Sequence, residues 1–398
     1  MELSSLISIN LILVSLSLTG IALLFVLYPL LLFMLSRLQK KEKVKYDDSR
    51  PFVSLLIVVR NAETLIDDKI HNSLALDYPR EKYEVVVFSD GSTDKTEKKL
   101  ASFEDKRLKV FSSNVHDGKS KGINRSVNNC MGDIIVFSDV DAILEPAALE
   151  KLVRHYADPD IGGVCGQRII HKDDTQLKDA QKGYIKFDSL VKELESRIGS
   201  ITSNDGKIYS IRKELFTPIE EAVTDDLFIS LSVVRQRRRF IFEPKAKAYI
   251  RVPSRNPAHE IQRRRRIVPA SLRGIWLSKE LLNPMKYRFF SIGLIINKII
   301  RRLLPVCLSV LLLSSLIVSV YSPFFAVLFA AQSVFYLLAV LYPILFRRIS
   351  GLKPAKKVAS LAYYFCLGNY ATFLGLLDFT MGRKISRWEP IKTDMSDP

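Results

Sequence analysis

The stretch IIVFSDVDA, Ile134 to Ala142, runs four apolar residues into Ser138 and then two aspartates one residue apart, Asp139 and Asp141. Ile134–Phe137 reads as a short buried strand, β-branched and aromatic. Ending such a strand on two carboxylates is costly. Close like charges repel, and one of them tends to take up a proton. A hard divalent cation removes the conflict, because Mg2+ or Mn2+ prefers oxygen ligands and accepts one or two carboxylates together with a substrate's phosphates. The stretch therefore predicts a metal–diphosphate site with Asp139 and Asp141 as metal ligands. A lone pair of acids is also what a solvated loop looks like, so its neighbours decide the reading.

Those neighbours repeat the pattern. FVSLLIVV (Phe52–Val59), YEVVVFSDGS (Tyr83–Ser92) and LKVFSS (Leu108–Ser113) are further strand-like runs. AETLIDDKIHNSLALDY lies between the first two, with apolar residues at helical spacing. GKSKGINRSVNNCMG lies between the third run and Ile134. Strands alternating with helices predict an α/β fold with a mostly parallel, twisted sheet covered on both faces. Such sheets bind ligands beyond the carboxyl ends of their strands, and the polar motifs fall there. Asp90 follows VVVFS and opens a turn, where it is either a turn former or a carboxylate accepting hydrogen bonds from a base or ribose. In DGKSKGIN, glycines allow close backbone approach and Lys119 offers charge to phosphate, without the spacing of a Walker A loop. Thr224-Asp225-Asp226 precedes a helix-like apolar run. An acid there caps the helix or serves as the base that a sugar hydroxyl needs. In EIQRRRRIVPASLRGIW, Glu260 to Trp276, one of the four arginines can clamp a diphosphate through paired hydrogen bonds.

The flanks are of another kind. Leu6 to Leu35 contains no charged residue and exceeds the roughly 20 residues that cross a bilayer. The basic RLQKKEKVK follows it, which predicts an uncleaved anchor with the N-terminus outside and the basic flank in the cytoplasm. LLPVCLSVLLLSSLIVSV and FFAVLFAAQSVFYLLAVLYPILF, from Leu303 onward, predict two more spans. VASLAYYFCLGNYATFLGLLDF crosses again or lies in the interface. PASLRGIWLSKELL and KYRFFSIGLIINKIIRRLL mix apolar and basic residues as interfacial helices do. The domain reading is a transmembrane anchor at 1–40, an α/β domain at 51–256, the arginine motif with interfacial helices at 257–302, membrane helices at 303–380 and a cytoplasmic tail at 381–398. The chain has 59 Lys+Arg against 42 Asp+Glu, a net charge of +17. That balance suits an anionic partner: a nucleotide, a nucleic acid or a membrane surface. Its four cysteines form no CxxC pair, so neither a zinc site nor a disulfide framework is expected.

Taken in order, PFVSLLIVVRN, YPREKYEVVVFSDGSTD, GKSKGIN, GDIIVFSDVDA, VCG, DGKIYSIRKELF, TDD and QRRRR resemble the membrane-embedded branch of family 2 glycosyltransferases, which includes hyaluronan, cellulose and poly-N-acetylglucosamine synthases. The resemblance runs from about Pro51 to Trp276. It implies a GT-A fold, a mixed Rossmann-like sheet, a nucleotide-sugar donor of the UDP kind and inversion at the anomeric carbon. It also implies residue roles. Asp90 binds the base, Lys119 lies near the nucleotide, and Asp139 and Asp141 hold Mg2+ or Mn2+ with the diphosphate. Asp226 is the general base, and Asp225 stands where the family has glutamate. Gln262, Arg263 and Arg266 or Arg265 correspond to the family's Q-x-x-R-W motif. In either register the tryptophan beneath the acceptor sugar is missing. Ser89, where many members have aspartate, is a milder departure.

The resulting expectation is an integral plasma-membrane enzyme with a cytoplasmic catalytic domain. Its partners are a nucleotide sugar, a glycan or lipid-linked acceptor and membrane lipids, with no nucleic acid. The product is a processive polysaccharide or a single sugar on a lipid carrier. The competing class is a non-enzymatic basic membrane protein that binds nucleotide or nucleic acid. It does not account for acids at three strand or helix ends, and no interleaved aromatics accompany the arginine runs.

Overall fold

The computed structural model describes residues 2–39, 50–170, 178–250, 257–346 and 353–383. Helices α1 (Glu2–Ala22) and α2 (Tyr28–Leu38) precede a single eight-stranded sheet. Strands β1 (Val53–Val59), β2 (Tyr83–Asp90), β3 (Leu108–Ser113) and β4 (Ile134–Ser138) are the four runs read from the sequence. β5 (Ala142–Leu144), β6 (Ile161–Ile170), β7 (Ile208–Arg212) and β8 (Arg239–Ile250) complete the order β3-β2-β1-β4-β7-β6-β8-β5. Helices α3 (Ile66–Leu74), α4 (Thr96–Leu100), α5 (Lys119–Val127), α6 (Ala148–Val153), α7 (Lys178–Ile198) and α8 (Asp225–Arg235) connect the strands. After the sheet come α9 (Pro257–Leu277), α10 (Pro284–Tyr287), α11 (Phe289–Leu294), α12 (Arg301–Val318), α13 (Pro323–Leu341) and α14 (Lys353–Thr380).

β1, β2 and β4 are short, apolar runs buried on both faces, as strands of a covered parallel sheet are. β1 pairs in parallel with β2 and β4, and β2 with β3. The parallel pattern holds only for this half. β7 runs antiparallel to both β4 and β6, while β6 and β8 are parallel and β5 is antiparallel to β8. The sheet is therefore mixed, because β7 starts at the edge where β4 ends: Ile208 is opposite Ser138. One core, with Ile66, Ile70 and Leu149, covers one face. The other, with Ile123, Phe228 and Phe240, covers the opposite face. α8 is buried from Leu227 to Val234, as an all-round apolar helix must be.

Among the described residues, three helical runs are long and apolar enough to cross a membrane: Ser4–Leu38, Phe289–Val318 and Pro323–Phe346. The second is longer than the sequence suggested. A π-helical turn, Ile295–Ile300, joins α11 to α12, so part of the segment read as interfacial is continuous with a run long and apolar enough to span. Its apolar face explains this, since Ile296 and Leu304 pack with Leu24, Tyr28 and Leu32. α14 is one continuous helix lying against α9. A Cβ on Gly375 would sit 2.7 Å from Val268 Cβ, so glycine permits the close approach. The basic connection at 347–352 and the tail from 384 lie outside the described residues, as does the expected end of the α/β domain at 251–256.

Phe240 has no exposed surface, and truncating such a side chain leaves a cavity. Phe240→Ala is expected to cost about 3–5 kcal/mol, measured by unfolding of the detergent-extracted protein. Val110→Ala, on the partly exposed edge strand, is expected to stay within about 0.5 kcal/mol.

Candidate active site

The ends of β1, β2 and β4 share one edge, set by the parallel register Val59↔Ser89 and Leu56↔Phe137. Asp90 ends β2 and is buried. Its Oδ1 accepts from the Asp117 amide at 3.0 Å; its Oδ2 accepts from the Gly118 amide at 2.8 Å and lies 2.8 Å from His116 Nδ1. Both oxygens are committed to the loop that launches α5. Any direct bond to a nucleobase would be an exchange, and the atom left facing outward in the chain of contacts is His116 Nε2, buried and without a partner. Arg60, just past β1, has its buried Nε and Nη1 equally unpartnered. Neither residue was singled out from the sequence. Gly118 adopts φ +95, a conformation that favours glycine, and so turns Lys119 into the first helical position.

Lys119 Nζ lies 2.7 Å from Asp139 Oδ1 and 2.8 Å from Asp225 Oδ2. Lys207 Nζ lies 3.0 Å from Asp139 Oδ2 and 2.7 Å and 2.8 Å from the two oxygens of Asp141. The antiparallel register explains Lys207: it directly precedes Ile208, which pairs with Ser138. Only the tertiary pairing gives it a role, although DGKIYS was visible in the sequence. Burial opposes the charge on Lys119, but Asp139 and Asp225 outweigh it and hold the ammonium above its usual range. Burial likewise opposes the charge on Asp139, and Lys119 with Lys207 overrides it, holding the carboxyl below the usual carboxylate range. Beneath the turn, fully buried Lys69 donates to Ser138 Oγ at 2.7 Å and to the Ala142 carbonyl at 2.6 Å. These bonds bracket the two acids. Burial lowers Lys69 to about 7.

Asp225 and Asp226 form the first turn of α8. Asp226 accepts from the Leu227 amide at 2.7 Å. Burial and then the neighbouring charge of Asp225 raise it to about 6, while Lys119 and Lys298 pull the other way. One acid paired with a lysine beside one whose pKa is raised is the arrangement an acid/base pair needs. The hydroxyl of Tyr209, also buried, faces this group without a hydrogen-bond partner.

The four arginines separate on α9. Arg263 and Arg264 pair with Glu260 at 3.2 Å and 2.7 Å. Arg265 makes a two-pronged bridge to Asp378 of α14, at 2.8 Å and 2.9 Å, which turns it away from the aspartates. Arg266 is the one that feels Asp225, Asp139 and Asp226; burial and Arg263 lower its pKa. Of the two clamp candidates, Arg266 therefore faces the site, and Arg265 fastens α14. Gln262 is exposed. Trp276, considered as a substitute sugar platform, is 68% exposed and lies against Lys279. It is ten residues beyond Arg266, about 15 Å along the helix axis.

Lys207 shows that one cation can touch both Asp139 and Asp141. Among the described residues no cluster of three or more His, Cys, Asp or Glu side chains gathers as a closed metal cage. Two convergent carboxylates with open positions fit Mg2+ or Mn2+, whose remaining ligands are phosphate and water oxygens.

Residues 54–217 match the family model described as Glycosyl transferase family 2. A poly-beta-1,6-N-acetyl-D-glucosamine synthase of Staphylococcus aureus is 25% identical over 223 residues, 54% of this chain and 53% of that protein. A beta-monoglucosyldiacylglycerol synthase of a Nostoc species is 30% identical over 188 residues, 45% of this chain and 40% of that protein. The chain thus spans about half the length, or less, of these curated relatives. Among solved structures, the mannosyltransferase PcManGT of Pyrobaculum calidifontis, in complex with GDP-Man and Mn2+, superposes with a TM-score of 0.70 at 21% identity, covering 95% of this chain and 100% of that one. That likeness identifies the fold as GT-A.

Removing a group that merely supports a metal ligand costs about 10–100-fold in metal affinity. If Asp139 and Asp141 hold the metal themselves, Asp139→Asn and Asp141→Asn are expected to weaken Mn2+ binding by more than that, followed by electron paramagnetic resonance with UDP or GDP present. Unchanged binding would remove the metal from this pair.

Proposed function

Since residues 54–217 form a glycosyl transferase family 2 domain, we propose that the protein moves a sugar from a nucleotide-sugar donor to an acceptor hydroxyl, with inversion, at the cytoplasmic face of the membrane. The observation that carries this reading is Asp226: a carboxyl raised to about 6, at a helix start, beside the Lys119–Asp139–Lys207–Asp141 network. In this reading the donor diphosphate lies along the strand edge. A bound Mg2+ or Mn2+, held by Asp139 and Asp141, supplies positive charge to the leaving diphosphate. Arg266 adds a planar donor from the other side. The unpartnered atoms of Arg60 and His116 suit the polar edge of the nucleoside.

Asp226 takes the proton of the acceptor hydroxyl as its oxygen bonds to the anomeric carbon. The bond from that carbon to the diphosphate oxygen breaks on the opposite face, and the electron pair leaves with the diphosphate. Asp225 contributes indirectly: its charge, paired with Lys119, raises Asp226 toward the working range of a base. The product is one or a few sugars on a lipid-linked acceptor rather than a long polymer. Support comes from the arginine motif, which lacks the tryptophan, and from Trp276, which is exposed far along α9. Incubating the membrane-extracted protein with labelled nucleotide sugars and sizing the product tests this directly; a high-molecular-weight polymer would refute the short product.

Asp226→Asn keeps the shape but cannot accept the proton, so turnover is expected to fall about 10²–10⁴-fold with donor affinity nearly unchanged. A base raised to about 6 is ionised above that pH and protonated below it. Turnover should therefore rise with pH through about 6, and a pH profile without that acid limb would count against Asp226. Arg266→Lys is expected to cut turnover by about tenfold or more, because the forked contact is lost. Arg265→Lys is expected to loosen α14 and leave turnover within a few fold; equal losses in steady-state assays would reverse the assignment.

A further inference from the structure

Between the site edge and the membrane helices lies a set of charged side chains that the transfer step does not use. The carboxylates among them are matched: Asp188 by Lys192 at 2.8 Å, Asp205 by Arg168 at 3.3 Å and Glu260 by Arg264 at 2.7 Å. Two cations are left over. Lys298 donates to Ser203 Oγ at 3.0 Å, and Arg302 donates to Ser271 Oγ at 3.0 Å. Among the described residues neither has a carboxylate within ion-pair distance. Both are half-buried, and half-buried charge without a counter-charge is costly.

Their placement points inward. They stand four residues apart, where the π turn Ile295–Ile300 passes into α12, and such turns recur at functional sites. Ser203 precedes Asn204, whose Nδ2 donates to the Asp226 carbonyl at 3.0 Å. Ser271 stands on α9, five residues after Arg266. The two serines thus hold the cations against the loop that is bonded to Asp226 and the helix that carries Arg266. Further along the same helical run Leu303 and Val306 are exposed, within a stretch apolar enough for the bilayer, and Val306 follows Arg302 by one turn on the same face. A ligand whose anionic head meets the two cations can therefore lay an apolar tail along that face.

We propose that Lys298 and Arg302 form an acceptor subsite that holds the phosphate ester of a lipid-linked acceptor. An ammonium beside a guanidinium is a recurrent phosphate-binding pair. The subsite names the acceptor's chemical class and rests on the transferase reading above.

The test uses the full chain in detergent micelles with radiolabelled dodecyl phosphate as probe and dodecanol as its uncharged control. The parent should bind dodecyl phosphate at least about tenfold more tightly than dodecanol. Lys298→Gln and Arg302→Gln should each lose about tenfold of that affinity, while Lys298→Arg retains it. Donor binding without acceptor, measured with Mn2+, should be the same in parent and variants, which shows that they are folded and donor-competent. Equal binding of phosphate and alcohol, or Gln variants that bind like the parent, would overturn the subsite. Competition by phosphatidylglycerol as strong as by dodecyl phosphate would overturn the acceptor assignment in favour of a bilayer headgroup. A parent that turned over no donor at all would instead defeat the transferase reading.

Discussion

Crowding of negative charge at one edge of the sheet is the constraint on which the rest depends. Asp139, Asp141, Asp225 and Asp226 converge there from a strand end and a helix start. Such a group folds only if cations are delivered to it. Lys119 ties Asp139 to Asp225, and Lys207 ties Asp139 to Asp141. Lys69 fixes the turn from below through Ser138 and Ala142. Asp226 has no lysine within ion-pair distance among the described residues, and burial with the neighbouring charge of Asp225 raises its pKa. The same balance that lets the edge fold therefore leaves three acids paired with lysines and one with a raised pKa.

That edge is held against the membrane helices by a few buried polar contacts in otherwise apolar packing. Tyr28 of α2 donates to Glu195 Oε1 at 2.5 Å. Glu195 also accepts from the Thr202 amide and hydroxyl, and Asn297 donates to Thr202 Oγ1 at 2.9 Å. Apolar faces tolerate sliding, whereas a buried hydrogen-bond network has one satisfied register. Thr202 belongs to the loop that continues to Asn204 and Lys207. The anchor, the second span and the site loop are thus set relative to one another by the same side chains. α14 adds a second brace through Arg265 and Asp378.

Much of this was legible beforehand. The four strands β1–β4, helices α3, α5 and α8, and the positions of Asp90, Lys119, Asp139, Asp141 and Asp226 at element ends all follow from local pattern. Runs of β-branched residues, helical periodicity and turn chemistry are properties of neighbouring residues. The second half of the sheet was less readable. β7 and β8 carry Ser210, Glu243, Lys245 and Lys247 among apolar residues, and their pairing with β4 and β6 spans long stretches of chain. The helical continuity of Phe289–Val318 was hard to read because basic residues interrupt its apolar pattern.

The sequence by itself determined an α/β domain between membrane segments and a set of acids and lysines at strand ends, because hydrophobic period and charge are written residue by residue. Only the tertiary structure decided which charges meet. Arg265 and Arg266 are adjacent in sequence, yet successive residues on a helix point about 100° apart. One therefore bridges to Asp378, while the other feels the charge of the site aspartates. Lys207 gained its place from an antiparallel register that no local pattern encodes. Lys298 and Arg302 are distinguished only by partners they do not have. The strength of an ion pair depends on distance and local dielectric, and both come from the packed fold.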